Sequence, residues 1–171
     1  MRSIYFIFTA LALLSSSTQA DLLLGKVTGV ADGDSLYVLD AQQRAYRVRL
    51  LGIDAPEHGQ AFGKSAKQAL KQHIHKQPVR IEWKKRDQYG RLLGKITTAN
   101  GEDVALRQIS TGMAWWNRKY AYEQTDDDAI RYREAEAVAR MKRAGLWSQE
   151  NPIPPWRWRY AKPRQTDTVK P

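Results

Sequence analysis

The chain has no cysteine, only three histidines and three phenylalanines among 171 residues. The missing cysteines exclude a disulfide framework and any thiolate metal site, so stability must come from packing. His58 sits in a turn-rich stretch, and His73 and His75 lie two apart on a predicted helix, where they do not share a face. Three scattered histidines make no zinc site. Acids are also in deficit: 28 lysines and arginines against 18 aspartates and glutamates leave a formal charge of +10. A basic excess of this size favours polyanions, because neutralising phosphates releases counterions, but it serves solubility equally well and decides nothing alone.

Long apolar runs are missing too. The longest, Ile4 to Leu14, is too short for a bilayer, which takes about 20 apolar residues. With Arg2 before it and Thr18-Gln19-Ala20 after it, residues 1–20 read as a secretory signal peptide cleaved after Ala20. The expected product begins at Asp21 and carries 27 basic against 18 acidic residues, or +9. It is expected to be secreted or periplasmic, a monomer, and free of the membrane, with one domain over 21–150 and a Pro/Trp-rich tail over 151–171.

Between these ends the pattern is mainly β. Short alternating runs over Leu24 to Val30, Ser35 to Leu39 and Ala45 to Leu51 are separated by turn residues and read as a meander. Gln60 to Lys76 shifts to helical spacing, with Phe62, Ala66, Ala69 or Leu70, and Ile74 on one stripe, ended by Pro78. Val79 to Lys85 and Leu92 to Thr98 read as two more strands around a Tyr89-Gly90 turn. Five strands with a helix inserted after the third predict an α+β chain, mainly a five-stranded Greek-key barrel of the oligonucleotide/oligosaccharide-binding (OB) type. About three helices are expected. The second is Asp103 to Gly112; the third is Asp126 to Ala144, with Ile130, Ala137, Val138 and Met141 as its apolar stripe. Gly145-Leu146-Trp147 is expected to tuck back onto the domain. The stretch Pro152 to Trp156 reads as non-helical, and Gln165 to Pro171 as disordered.

Chemistry concentrates in two segments, Asp32-Gly33-Asp34-Ser35 and Arg49 through Glu57, which put acids and an arginine at the ends of adjacent predicted strands. Taken singly, each is an ordinary turn sequence. Together they suit metal-assisted attack on a phosphodiester. Asp34 and Asp54 can offer hard oxygens to one divalent cation, Glu57 can position or deprotonate a water, and Arg49 can grip a phosphate with its planar fork. Asp32 reads as orienting the turn rather than as a ligand. Removing either ligand acid is expected to relieve like-charge repulsion in the empty site.

The order and spacing of Asp34-Ser35, Arg49 five residues before Asp54, Pro56-Glu57 and Tyr89-Gly90-Arg91 resemble the staphylococcal nuclease family, from about Gly25 to Trp147. The resemblance implies that Asp34, Asp54 and the backbone carbonyl of Ala55 bind one calcium ion. It implies Arg49, Glu57 and Arg91 as catalytic residues, and Tyr89 and Tyr120 as contacts to phosphate and base. It implies hydrolysis of DNA and/or RNA with little sequence preference, leaving 3′-phosphates. Ser35 stands where the family usually has Thr, Ala55 where Thr is frequent, and Gln88 where a basic residue is usual, which removes one positive charge near the substrate. Trp115, Trp116 and Trp147 read as core, and Trp156 and Trp158 as packing against the barrel. The alternative to a nuclease is a non-catalytic nucleic-acid-binding barrel, though a pure binder has no use for clustered acids that repel phosphate.

Overall fold

A computed structural model describes residues 20–161, so the expected signal peptide and the expected disorder of Gln165 to Pro171 lie outside the described residues. The strands are β1 (Asp21–Val30), β2 (Ser35–Leu39), β3 (Ala45–Leu50), β4 (Ile53–Asp54), β5 (Pro78–Arg86), β6 (Leu92–Thr98) and β7 (Trp115–Trp116). The helices are α1 (Gly63–Ile74), α2 (Val104–Ser110), α3 (Asp126–Met141) and α4 (Pro155–Ala161). Short 3-10 segments cover Arg118–Glu123 and Gly145–Ser148. Among the described residues, no helix is long and apolar enough to cross a membrane.

Strict alternation closes the barrel. Leu36 and Val38 of β2, Val48 and Leu50 of β3, and Val79 and Ile81 of β5 point inward and are buried, while Tyr37 between two of them is exposed. The order is β1-β2-β3-β6-β5, closing back on β1, and every barrel pair is antiparallel except β3 with β6. This is the expected OB-type architecture. Strand β1 starts at Asp21, earlier than its alternation suggested, because its first residues pair with β5 from Asp21↔Trp83 onward. Helix α1 caps the barrel with Ala66, Leu70 and Ile74, as its spacing predicted. It ends before Pro78, through Lys76 at φ 65, and Pro78 opens β5 instead, a strand-start position that needs no ladder donor.

Two expectations are corrected. The predicted apolar stripe of α3 faces water: Ile130, Val138 and Met141 are 44%, 43% and 77% exposed. The inward face carries Asp128, Tyr132, Glu136 and Ala139. Each polar group there has a partner: Asp128 takes Lys95 Nζ at 2.6 Å, Tyr132 donates to Asp103 at 2.9 Å, and Glu136 accepts the Trp116 N–H at 3.2 Å. Hydrogen-bonded burial outweighs hydropathy here. Pro152 to Pro154 are non-helical as expected, but α4 begins at Pro155, a first helical position where its missing N–H costs nothing, and so takes in Trp156.

Trp115, Ala139, Leu146 and Trp147 form a second small core outside the barrel, with Trp115 and Trp147 edge-on at 5.3 Å. The expected core roles of Trp115 and Trp147 hold, and Trp116 is partly buried against the main core. The short ribbon β4-β7 joins the two cores.

Candidate active site

The Asp32 turn is held by its own side chain, which accepts the Asp34 N–H at 3.0 Å. Gly33 lets the turn close: a Cβ there would lie 2.6 Å from that of Ala55 and 2.7 Å from that of Ala66. From below, buried Gln108 of α2 donates to the Gly33 carbonyl at 2.8 Å. Asp34, 4% exposed, therefore emerges in a fixed direction at the start of β2.

Register then delivers Arg49, because Ser35 of β2 pairs with Arg49 of β3. One guanidinium joins both acids: Nη1 lies 2.8 Å from each Asp34 oxygen, and Nη2 is 3.1 Å from Asp54 Oδ1 and 3.2 Å from the Ile53 carbonyl. Asp34 also accepts the Ala55 N–H at 3.1 Å and the Ser35 hydroxyl at 2.8 Å. Pairing of Asp54 with Trp115 aims the Asp54 carboxylate, which is 1% exposed.

Electrostatics follow from this arrangement. Burial opposes ionisation of Asp34, yet the Arg49 charge and the hydrogen bonds from Ala55 and Ser35 hold its pKa below the ordinary value. Burial first, and then the Asp34 charge, push Asp32 up to about 6. Asp34 thus repels Asp32, while the guanidiniums of Arg49 and Arg159 offset the charges of Asp34 and Asp54. That offset argues against the expectation that deleting one acid relieves repulsion, and calorimetry of the variant decides it.

Arg91 comes from the β5-β6 turn, where Gly90 takes φ +76. Asp87 accepts the Tyr89 and Arg91 N–H groups at 2.9 and 3.0 Å and the Arg91 Nε at 2.6 Å. Arg91 Nη1 then reaches Ser35 Oγ at 3.1 Å, and that hydroxyl donates to the Asp34 oxygen that Arg49 also holds. Glu57 lies beyond Pro56 on the other side, its N–H donated to Gln60 Oε1 at 3.0 Å. Tyr89 and Tyr120, 70% and 40% exposed, stand at the rim. All of these side chains border one groove of about 680 Å³.

The residue that sequence reasoning missed is Arg159 of α4. Its Nη2 is 2.7 Å from Asp54 Oδ2, and its Nη1 is 2.6 Å from Glu57 Oε1. Gln60 Nε2 donates to the Ile153 carbonyl, Pro155 is buried, and Trp156 meets Trp115 edge-on at 6.4 Å, so the tail packs as its tryptophans suggested. An arginine among tail aromatics was the only signal in the sequence.

Two buried carboxylates, Asp34 and Asp54, meet the same Arg49 guanidinium, and carboxylate oxygens are the donors a hard cation takes. That Asp54 draws a second guanidinium marks a place that attracts positive charge. Among the described residues, no group of three or more His, Cys, Asp or Glu side chains is placed to hold a metal.

Comparison with known proteins agrees with this geometry. The family model described as "Staphylococcal nuclease homologue" matches residues 47–149. A "Micrococcal nuclease" of Shigella flexneri is 40% identical over 151 residues, covering 84% of each chain. An "Uncharacterized endonuclease" of Escherichia coli is 36% identical over 138 residues, 81% of this chain and 86% of its own length. Another of that description, from Haemophilus influenzae, is 35% identical over 159 residues, 93% of this chain and 83% of its own. The family model takes in Arg49, Asp54, Glu57 and Arg91, and with relatives this similar over most of their length the chain belongs to the staphylococcal nuclease family and is a nuclease hydrolase.

Proposed function

We propose that the protein is a calcium-dependent phosphodiesterase that hydrolyses DNA and RNA to 3′-phosphate ends. The observation that carries this reading is the single guanidinium of Arg49 shared by Asp34 and Asp54, with Arg91 and Glu57 bordering the same groove. A calcium ion held by Asp34, Asp54 and the Ala55 carbonyl would supply charge neutralisation to a phosphate oxygen. The protein's own groups do the rest. Glu57 takes a proton from an attacking water; its Oε1 is held by Arg159, and its Oε2 has no hydrogen bond among the described residues. Arg49 and Arg91, which border the same groove, meet the negative charge gathering on the phosphoryl oxygens. Hydroxide oxygen bonds to phosphorus, the bond to the 5′ oxygen breaks, that oxygen takes a proton from solvent water to leave as a 5′-hydroxyl, and Glu57 returns its proton to solvent. Tyr89 and Tyr120 offer rim contacts to phosphate and base.

The same reading includes export. Strand β1 begins at Asp21, directly after the proposed cleavage point, so removing residues 1–20 would leave the barrel whole. Intact-mass measurement of exported protein should give a start at Asp21.

The test is incubation of residues 21–171 with single-stranded DNA or RNA, with calcium or a chelator, followed by end-group analysis. Calcium-dependent cleavage to 3′-phosphates, lost in Glu57→Gln with binding retained, is expected. Chelator-resistant cleavage, or 5′-phosphate ends, would overturn the reading.

A further inference from the structure

The groove does not stop at the acids. A second recess, of about 1190 Å³, opens beside it. Asp54, Asn117, Tyr120 and Arg159 border both, so the two are continuous. One wall is β7 with the 3-10 segment after it; the other is the C-terminal segment through Tyr160. The family match ends at residue 149, before that second wall is built.

The chemistry of the recess is unusual for a purely structural cleft. Lys119 and Arg157 line it with no carboxylate partner among the described residues, and Arg118 reaches Glu136 only at 3.5 Å with 70% of its side chain exposed. Trp156 and Tyr160 line it too, 37% and 91% exposed. The carboxylates in the recess besides Asp54 are Glu136, already engaged by the Trp116 N–H and by Arg140 at 3.3 Å, and Glu150. Exposed cations, Arg118 and Lys119 over the Trp116 and Tyr120 rings and Arg157 beyond them, beside exposed aromatic faces match a strand of alternating phosphates and bases: cations follow the backbone, and rings take any base. The anchoring of the tail through Arg159, Gln60 and Pro155 keeps this wall in place.

We propose that the recess is a second nucleic-acid subsite, built by the C-terminal segment, which holds a single strand running from the cleavage groove past Asn117 and Tyr120. Phosphates lie on Arg118, Lys119 and Arg157, and bases stack on Trp156 and Tyr160. Only unpaired bases present faces for such stacking, so the substrate is single-stranded and several nucleotides long. This assignment rests on the nuclease reading and deepens it.

Residues 21–171 carrying Glu57→Gln, to stop turnover, should be titrated with fluorescein-labelled oligothymidylates of 2, 4, 8 and 12 nucleotides in calcium, by anisotropy. Affinity is expected to rise with length through the octamer. Arg157→Gln with Tyr160→Ala, both exposed positions that the fold does not need, should cut the ratio of octamer to dinucleotide affinity by at least tenfold; one stacked base alone is worth roughly 5- to 150-fold. Lys119→Gln with Arg157→Gln should lower the salt slope by about 1.4, at about 0.7 per phosphate of a single strand. Affinity that is flat beyond the dinucleotide, or an unchanged length ratio in the Arg157/Tyr160 variant, overturns the subsite. If the parent cleaves but shows either result, the nuclease reading stands and the subsite falls. If binding follows length as expected but the parent never cleaves, the subsite stands and the nuclease reading falls.

Discussion

Arg49 carries two jobs that separate on substitution. It neutralises Asp34 and Asp54 together, and it faces the groove where a phosphate would sit. Lysine keeps the charge but loses the planar fork. Arg49→Lys and Arg91→Lys should therefore both retain nucleic-acid binding while losing on the order of 10²–10³-fold in turnover, measured with saturating oligonucleotide. Arg49→Lys should also lower Tm more than Arg91→Lys, since Arg49 is shared by two buried acids and Arg91 pairs with one part-buried acid, Asp87. Deleting Asp34 is the complementary case. Asp34→Ala removes the acceptor for Arg49, Ser35 and the Ala55 N–H at once. The calcium-free protein should lose roughly 3 kcal/mol, about 10 °C in Tm for a chain of this size. An unchanged or higher Tm by calorimetry would mean the acids do repel each other in the empty site.

At the level of elements, the inward face of α3 is held by hydrogen bonds. Tyr132→Phe leaves the buried Asp103 carboxylate short of a donor and should cost about 1–3 kcal/mol in denaturant unfolding. Met141→Gln, on the stripe that hydropathy favours, should stay within about 0.5 kcal/mol of the parent, because that side chain is already in water. Helix α4 offers a different test. Arg159 holds both oxygens of Asp54, so a cation bound there must displace it. The Arg159 side chain is 47% exposed, so solvent screening leaves the pair roughly 0.5–1 kcal/mol. Arg159→Ala should bind calcium about two- to fivefold more tightly by isothermal titration, and its calcium-free form should be slightly less stable. Weaker calcium binding would instead make Arg159 a support for the ion.

For the whole molecule, what the sequence revealed tracks how local each feature is. The barrel strands were legible because Leu36, Val38, Val48 and Leu50 alternate with surface residues over short spans. The Asp34, Arg49, Asp54 and Glu57 set was legible because its spacing is fixed by one turn and one strand register. The two-residue ribbon β4-β7 has no pattern to read, since each strand is too short for a period. Arg159 stands 105 residues from the Asp54 it grips, and nothing between them marks the contact. Helix α3 misled because its buried polar groups find partners on distant elements. The single parallel pair adds a kinetic consequence. Val48↔Leu92, Arg49↔Leu93 and Leu50↔Gly94 form a seam that α1 and β5 must bridge, so it closes a long loop of chain. Arg91 precedes that seam by one residue and Arg49 lies within it, so the two arginines come together only once the barrel has shut. A half-folded chain would then carry Arg49 beside Asp34 but not Arg91 next to them. In refolding from denaturant, hydrolysis should return no sooner than the slowest phase of barrel formation, so the newly made protein is harmless to nucleic acid until its fold is complete.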